Sequence, residues 1–242
     1  MTCVWTVFDS WMEERDPQFV EKAVAIIDLE LHPPTDGPTF CVDEKTGIGV
    51  RTPAAPSQPV APKRPARREF EYVRHGTAAV LAAFCVNTGE VTGIVRRRHR
   101  SAEFLELLDH LDRQVPNRQV IHLILDPVRM HASAEVALYV YYRPGRFAFH
   151  WLPVHASWLS FIEAWFAILS KKCLKRAEVA DFADAAQALT AFIATYNAHH
   201  AKPFTWKKGV KFYQRLKDKL ASSPADPLPF HPAESPHEPV AA

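Results

Sequence analysis

Val120-Ile121-His122-Leu123-Ile124-Leu125 has five aliphatic side chains in six positions and no full charge, and Asp126-Pro127 follows at once. A run this short and this apolar reads as a strand buried on both faces, since a half-exposed strand would alternate. The strand belongs at the centre of a sheet covered above and below, and an aspartate ends it.

Reading outward, Ser101–Arg113 has Phe104, Leu105, Leu107, Leu108 and Leu111 at helical spacing behind a Ser101 cap. Before it, Thr77–Val86 and Glu90–Arg96 are β-rich runs joined by Asn87-Thr88-Gly89, a hairpin signal. Thr39–Asp43 reads as a short strand closing on Asp43-Glu44-Lys45. Residues 17–31 space Phe19, Val20, Ala23, Ile26 and Ile27 as a helix that His32-Pro33-Pro34 stops. Downstream, His131–Tyr142 is expected to be a helix and Arg146–Trp151 a strand. Trp158–Cys173, Asp181–Asn197 and Trp206–Leu220 read as three more helices. One strand, a hairpin, then helix, strand, helix and strand make an α/β domain. Its sheet is mixed, with the hairpin at one side and helices on the faces. No internal repeat is visible.

At 242 residues and 48% hydrophobic, the chain can bury one substantial core. No run approaches the ~18 apolar residues of a membrane span, and the opening MTCVWTVFDSWMEERD lacks a cationic secretory start. Cys3, Cys41, Cys85 and Cys173 show no CxxC spacing, which fits a reducing cytoplasm and argues against a zinc knuckle or a disulfide framework. The net charge of +2 hides an asymmetry. Residues 1–44 hold ten acids and two bases, and residues 221–242 hold three acids and no base. Residues 45–220 are left strongly basic, as a polyanion-binding domain or an ordinary solvated surface can be. The six prolines of residues 221–242 leave little that can pack, so this tail is expected to be disordered.

Prolines at 53, 56, 59, 62 and 65 favour an extended polyproline II segment, and Lys63, Arg64, Arg67 and Arg68 make it basic. It is either a mobile surface loop or a semi-rigid arm reaching DNA or a second subunit.

Between Arg146 and Lys171 the single full charge is Glu163. An ionised carboxylate buried among such residues needs a cation or several donors, and no Lys or Arg is near in sequence. Asp43 and Asp126 each end an apolar strand, and strand ends that neighbour in a sheet can bring distant acids together. Two carboxylates about 4 Å apart repel by ~4 kcal/mol at an effective dielectric near 20. Oxygen ligands of this kind suit Mg²⁺ or Mn²⁺, and two such ions can run phosphodiester chemistry. Each acid also has a plain reading. Asp126-Pro127 can be a turn, Asp43-Glu44 a solvated strand end, and Ser160-Phe161-Ile162-Glu163 a capping box.

RDPQFVEK, CVDEKTGI, EYVRHGTAAVLAAFCVNTGEVTG, RRHRSAEFLELLDHLD, HLILD with His131, FHWLP, ASWLSFIEAWF and AKPFTW occur in that order between about Arg15 and Trp206. In these segments the chain resembles the catalytic domain of bacterial insertion-sequence transposases of the mariner-related DDE branch. The resemblance implies an RNase H-like domain over 36–220, behind a helical lead-in at 1–35. It makes Asp43, Asp126 and Glu163 the catalytic, metal-holding triad for two Mg²⁺ or Mn²⁺ ions. Arg74, His75, His99, His131 and Ser160 become supporting or DNA-contacting groups, with His131 equally readable as a structural histidine on its helix. The implied reaction is nicking of transposon ends and attack of the freed 3′ hydroxyl on target DNA. The implied partners are double-stranded DNA and, on it, a second copy, with no membrane and no small-molecule cofactor. The implied place is the bacterial cytoplasm, at the nucleoid.

Two positions depart from the family. Pro127 stands where an asparagine usually follows the second aspartate, and Ser160 where an asparagine usually precedes the glutamate by three. Proline offers no donor there. Only about fourteen residues, with three acids and no base, precede the match, where the family carries a helix-turn-helix region that recognises transposon ends. The alternative expectation is therefore a truncated, weakly active or inert remnant that binds DNA or a full-length transposase.

Overall fold

The computed structural model describes residues 16–222 apart from Ser57, Pro59, Ala66, Arg68, Ala177 and residues 207–209. Most of the expected tail and residues 1–15 of the expected lead-in lie outside the described residues.

The sheet is built on β1 (Thr39–Pro53), β2 (Tyr72–Cys85), β3 (Val91–Arg96), β4 (Ile121–Leu125) and β5 (Phe147–Trp151), in the order β3-β2-β1-β4-β5. β1, β2 and β3 are antiparallel neighbours, while β4 and β5 run parallel to β1. Every residue of β4 is buried, as its apolar run requires. The helices are α1 (Phe19–Leu31), α2 (Ser101–Gln114), α3 (Ala134–Tyr141), α4 (Phe161–Lys172), α5 (Phe182–His199) and α6 (Val210–Ser222). They cover both faces of this RNase H-like mixed sheet.

On one face, Phe104, Leu107, Leu108 and Leu111 of α2 pack on Phe40, Val42, Leu81 and Ala83. On the other, α1, α4, α5 and α6 cover Cys41, Val80, Ala82 and Phe84. Each fully buried side chain of Leu or Phe size contributes roughly 1.5–3 kcal/mol, so the α2 face alone gives its helix a firm seat. Both faces of β2 are buried from Ala78 to Cys85, which is why its sequence does not alternate there.

Several boundaries move. β1 continues ten residues past Asp43, through register shifts after Lys45 and Val50, because β2 pairs with it throughout. The proline-rich segment folds back on itself instead of extending as polyproline II. Gln58 and Arg67 exchange backbone hydrogen bonds, as do Ala61 and Arg64. Prolines at every third position leave the N–H groups of Gln58 and Ala61 free to pair. The N-cap of α2 is Arg100, one residue before the expected Ser101, and the Glu103 carboxylate accepts the Arg100 N–H at 2.8 Å. The Asn87-Thr88-Gly89 turn forms as read, with Gly89 at φ +78 and the Lys202 backbone close enough to exclude any Cβ. Arg146 locks the end of α2 to β5, donating to the carbonyls of Asp112, Val115, Pro116 and Gln119 and to the Asp112 carboxylate. Among the described residues no helix is long and apolar enough to cross a membrane.

Candidate active site

The parallel pairing of β1 with β4 ends at Cys41↔Ile124. Two residues further along each strand lie Asp43 and Asp126, at the same level, where the two strands part. Asp43 is therefore not at a strand end: it sits inside the long β1, opposite Ala82, at the point where its parallel neighbour stops. Open α/β sheets place ligands in such a crevice beyond the carboxyl ends of parallel strands.

Glu163 reaches this crevice from the first turn of α4. The expectation that its carboxylate is buried does not hold. Phe161, Ile162, Trp165, Phe166 and Leu169 turn into the core, while Glu163 and Ala164 face outward and are exposed. The nearly uncharged stretch satisfies its apolar residues on one side of the helix and leaves the acid free on the other. The capping box does not form either. A 3₁₀ turn at Ser157–Leu159 precedes the helix, so the Ser160 N–H goes to the Ser157 carbonyl and the Ser160 hydroxyl is buried without a hydrogen bond. The Glu163 carboxylate makes no hydrogen bond or ion pair among the described residues.

Asp43 feels both partners. Burial lifts its pKa first, and the charges of Glu44, Asp126 and Glu163 add to this against one hydrogen bond from the Glu44 N–H, leaving it at about 7. Glu44 is a fourth carboxylate that reading the sequence for three acids missed. The Asp-Glu dipeptide was its only signal. Burial raises the Glu44 pKa as well, the charges of His131 and His99 oppose the rise, and Asp126 adds to it.

His131 is buried in the turn before α3, not on the helix, and its ring lies 4.5 Å from that of Phe104. Its Nδ1 stands 3.1 Å from both the carbonyl oxygen and Oδ1 of Asp126, and the carbonyl contact has hydrogen-bond geometry. Its Nε2 is 3.8 Å from Glu44 Oε2. Burial opposes charging the imidazole, but the Asp126 hydrogen bonds and the Glu44 charge outweigh it and raise its pKa. His131 thus holds Asp126 from behind and spans the gap to Glu44.

The start of α4 is held by a group the sequence did not single out. Glu30, buried on α1, accepts the Phe161 N–H at 3.0 Å and the Cys41 thiol at 3.2 Å with Oε1, and the Trp206 indole N–H at 2.8 Å with Oε2. One carboxylate therefore ties α1, β1, the first residue of α4 and the segment before α6. Burial pushes its pKa to about 7, against those three donors. Its negative charge also sits at the positive end of α4.

Other expected residues lie elsewhere. His99 is close enough for its charge to act on Glu44. Arg74 pairs with Arg51 in the β1–β2 ladder, and His75 shares a 2.8 Å contact with Thr52. They are about 27 and 24 Å along β2 from the Asp43 level, at ~3.4 Å per residue. They do not support the acids directly. Lys63, Arg64 and Arg67 are exposed at the hairpin tip, and Arg68 lies outside the described residues.

The sequence profile of the DDE superfamily endonucleases matches residues 38–185, more than half of the chain and all three acids. The chain belongs to the DDE superfamily. Solved structures agree on the fold of this DDE domain. It is similar to the catalytic domain of the Mos1 mariner transposase, at 13% identity and a TM-score of 0.55, over 87% of this chain and 92% of that one. It is also similar to chains in the Mos1 strand transfer complex (14% identity, TM-score 0.57) and the Mos1 mariner paired-end complex with Mn (15%, 0.55). It spans 62% of the length of each of those two chains. No curated protein matches the sequence.

The DDE donor set is all oxygen, which fits a hard divalent cation better than a soft one. Asp126 Oδ1 and Glu44 Oε2 are buried with no contact of hydrogen-bond geometry, and both face the His131 imidazole, at 3.1 and 3.8 Å. Among the described residues no three His, Cys, Asp or Glu side chains yet stand at metal-ligand separations.

Proposed function

We propose that this chain is a transposase catalytic domain that cuts DNA strands and joins them by metal-dependent phosphoryl transfer. Asp43, Asp126 and Glu163 would hold two Mg²⁺ or Mn²⁺ ions. The observation that supports the reading is the level placement of Asp43 and Asp126 on adjacent strands, where burial and the charges of Glu44, Asp126 and Glu163 raise the Asp43 pKa. Bound divalent ions supply activation of the attacking oxygen and stabilisation of the leaving one. The chain's own groups position and restrain. His131 fixes Asp126 through its carbonyl, and Glu30 fixes the turn of α4 that carries Glu163. In cleavage, a water oxygen bonds to phosphorus while the bond from phosphorus to the 3′ oxygen breaks, freeing a 3′ hydroxyl. In joining, that hydroxyl oxygen attacks a target phosphodiester and displaces its 3′ oxygen. Double-stranded DNA is the substrate, and the basic hairpin at 53–68 is the contact with a second copy on DNA.

Thermal unfolding with and without Mn²⁺, followed by plasmid nicking, tests this on wild type and Asp126→Asn. A ligand at 100 times its dissociation constant stabilises by ~2.7 kcal/mol, several degrees for a domain of this size. Wild type should gain that shift and nick DNA, and Asp126→Asn should lose both. A folded wild type that shows neither, even with DNA present, sinks the catalytic reading. Salt-sensitive DNA binding that survives in both proteins without nicking would leave a DNA-binding remnant, the outcome Pro127 and Ser160 would then explain.

A further inference from the structure

Past Asp43 on β1, the strand forms one wall of a groove of about 380 Å³, closed on the other side by the end of α4 and the start of α5. Lys45, Arg51 and Arg74 line it, with Tyr72 beside them and no acidic residue among those lining it. Among the described residues none of the three cations is paired with a carboxylate. Lys45 rests its ammonium 5.8 Å from the centre of the Phe166 ring, and Arg51 lies 5.0 Å over Tyr72. Arg51 and Arg74 are cross-strand partners in the β1–β2 ladder. Like charges placed directly opposite destabilise a ladder, so this pair sits at a cost that a bound anion would relieve.

The groove begins next to the acids along the chain. Lys45 is two residues from Asp43 on the same side of β1, and Phe166 is one turn along α4 from Glu163. From Lys45 to Arg51 the strand covers about 20 Å at ~3.4 Å per residue, which is about six nucleotides of one strand at ~3.4 Å each. A cationic channel with a half-exposed aromatic ring matches how proteins grip unpaired strands, by phosphate contact and base stacking.

We propose that this groove binds the phosphodiester backbone of a single DNA strand where it leaves the carboxylates, with Lys45, Arg51 and Arg74 as the phosphate contacts and Tyr72 as a stacking platform. This deepens the proposed function and relies on it only for DNA as the polyanion.

The test is fluorescence anisotropy in EDTA, on one labelled oligonucleotide strand and on its duplex, between about 50 and 200 mM salt. The variant combines Lys45→Gln, Arg51→Gln and Arg74→Gln. Its control removes as many exposed charges elsewhere, through Arg118→Gln, Lys202→Gln and Lys211→Gln. Each phosphate contact adds about 0.7 to the salt slope on a single strand, so the groove variant should flatten that slope by about 2. The control should leave it near the wild-type value. Arg51→Lys with Arg74→Lys, which keeps the charges, should retain most of the slope and shows that the groove still folds. Tyr72→Ala should weaken single-strand binding at an unchanged slope. An unchanged slope in the groove variant, a fall no larger than the control's, or a fall on duplex only, overturns the proposal. Because EDTA removes cleavage from the readout, a groove that fails while wild type nicks plasmid leaves the function standing. A groove that binds in a protein that never nicks stands without it.

Discussion

Glu30 and Asp43 are both carboxylates that burial lifts to about 7, and they are held in opposite ways. Glu30 meets three donors, one each from β1, α4 and the segment before α6. Asp43 meets one backbone N–H and the charges of three other acids. A buried acid surrounded by donors is a joint: its hydrogen bonds define where the elements sit. A buried acid surrounded by acids lacks compensation, and the proposed function assigns that role to a cation. The same displacement of pKa therefore marks architecture in one place and chemistry in the other. What separates them is the sign of the neighbours.

The largest effect that sharpens the contrast is on stability against pH. Glu30 has a folded pKa of about 7 against an ordinary 4.5, so between those values the folded state binds the extra proton. Stability must then fall as pH rises through this window and level off above it. At 1.36 kcal/mol per unit the fall is about 3 kcal/mol. Glu30→Gln removes the titration and adds a constant penalty of about 1–3 kcal/mol, since its amide presents N–H to the Trp206 indole N–H or to the Phe161 N–H. Urea unfolding from pH 4.5 to 8 should therefore show wild type losing about 3 kcal/mol relative to the variant. Parallel curves would mean that Glu30 carries no buried charge, and the comparison breaks.

The fold was largely legible because its signals are local. An apolar run without alternation marked β4, and Asn87-Thr88-Gly89 marked the β2–β3 turn. What stayed hidden depends on partners distant in the chain. β1 looked finished at Asp43 because a charged run and two glycines follow, yet pairing with β2 carries it to Pro53. Glu163 looked buried because a helix rich in Trp and Phe gives no hint of which side its few small residues leave open. Glu30 reads as an ordinary helical acid between two leucines. Only the fold brings Trp206 to it from 176 positions away. Asp43 and Asp126 stood out at the ends of apolar runs, Glu163 as the single charge of an apolar stretch, and all three by resemblance, while nothing of the kind marked Glu44 or Glu30.

The next effect is kinetic. His131 joins the two kinds of site: it is buried like Glu30, yet it touches an acid of the cleft. Removing a group that orients a metal-holding carboxylate typically costs about 10–100-fold. His131→Ala should lower kcat for Mn²⁺-dependent nicking by that factor and leave KM for DNA close to wild type. His131→Asn, which keeps a donor toward the Asp126 carbonyl, should recover part of the rate. A rise in KM with kcat intact would place His131 on the DNA and not behind Asp126.

The smallest effect gives the cleanest sign. If Asp43 is an uncompensated charge, removing that charge must help the metal-free protein, the reverse of what removing Glu30's acceptors does. Asp43→Asn keeps an oxygen for the Glu44 N–H, whose 2.7 Å hydrogen bond it can still accept, and deletes the repulsion with Glu44, Asp126 and Glu163. Because the cleft is open to water, screening reduces the gain to about 1 kcal/mol at pH 8 in EDTA. At pH 5, where the wild-type carboxyl already carries its proton, the gain should vanish. Adding Mn²⁺ should reverse the order, stabilising wild type and leaving Asp43→Asn where it was. A variant less stable than wild type in EDTA at pH 8 would show that Asp43, like Glu30, is a joint, and the metal would have to be sought elsewhere in the cleft.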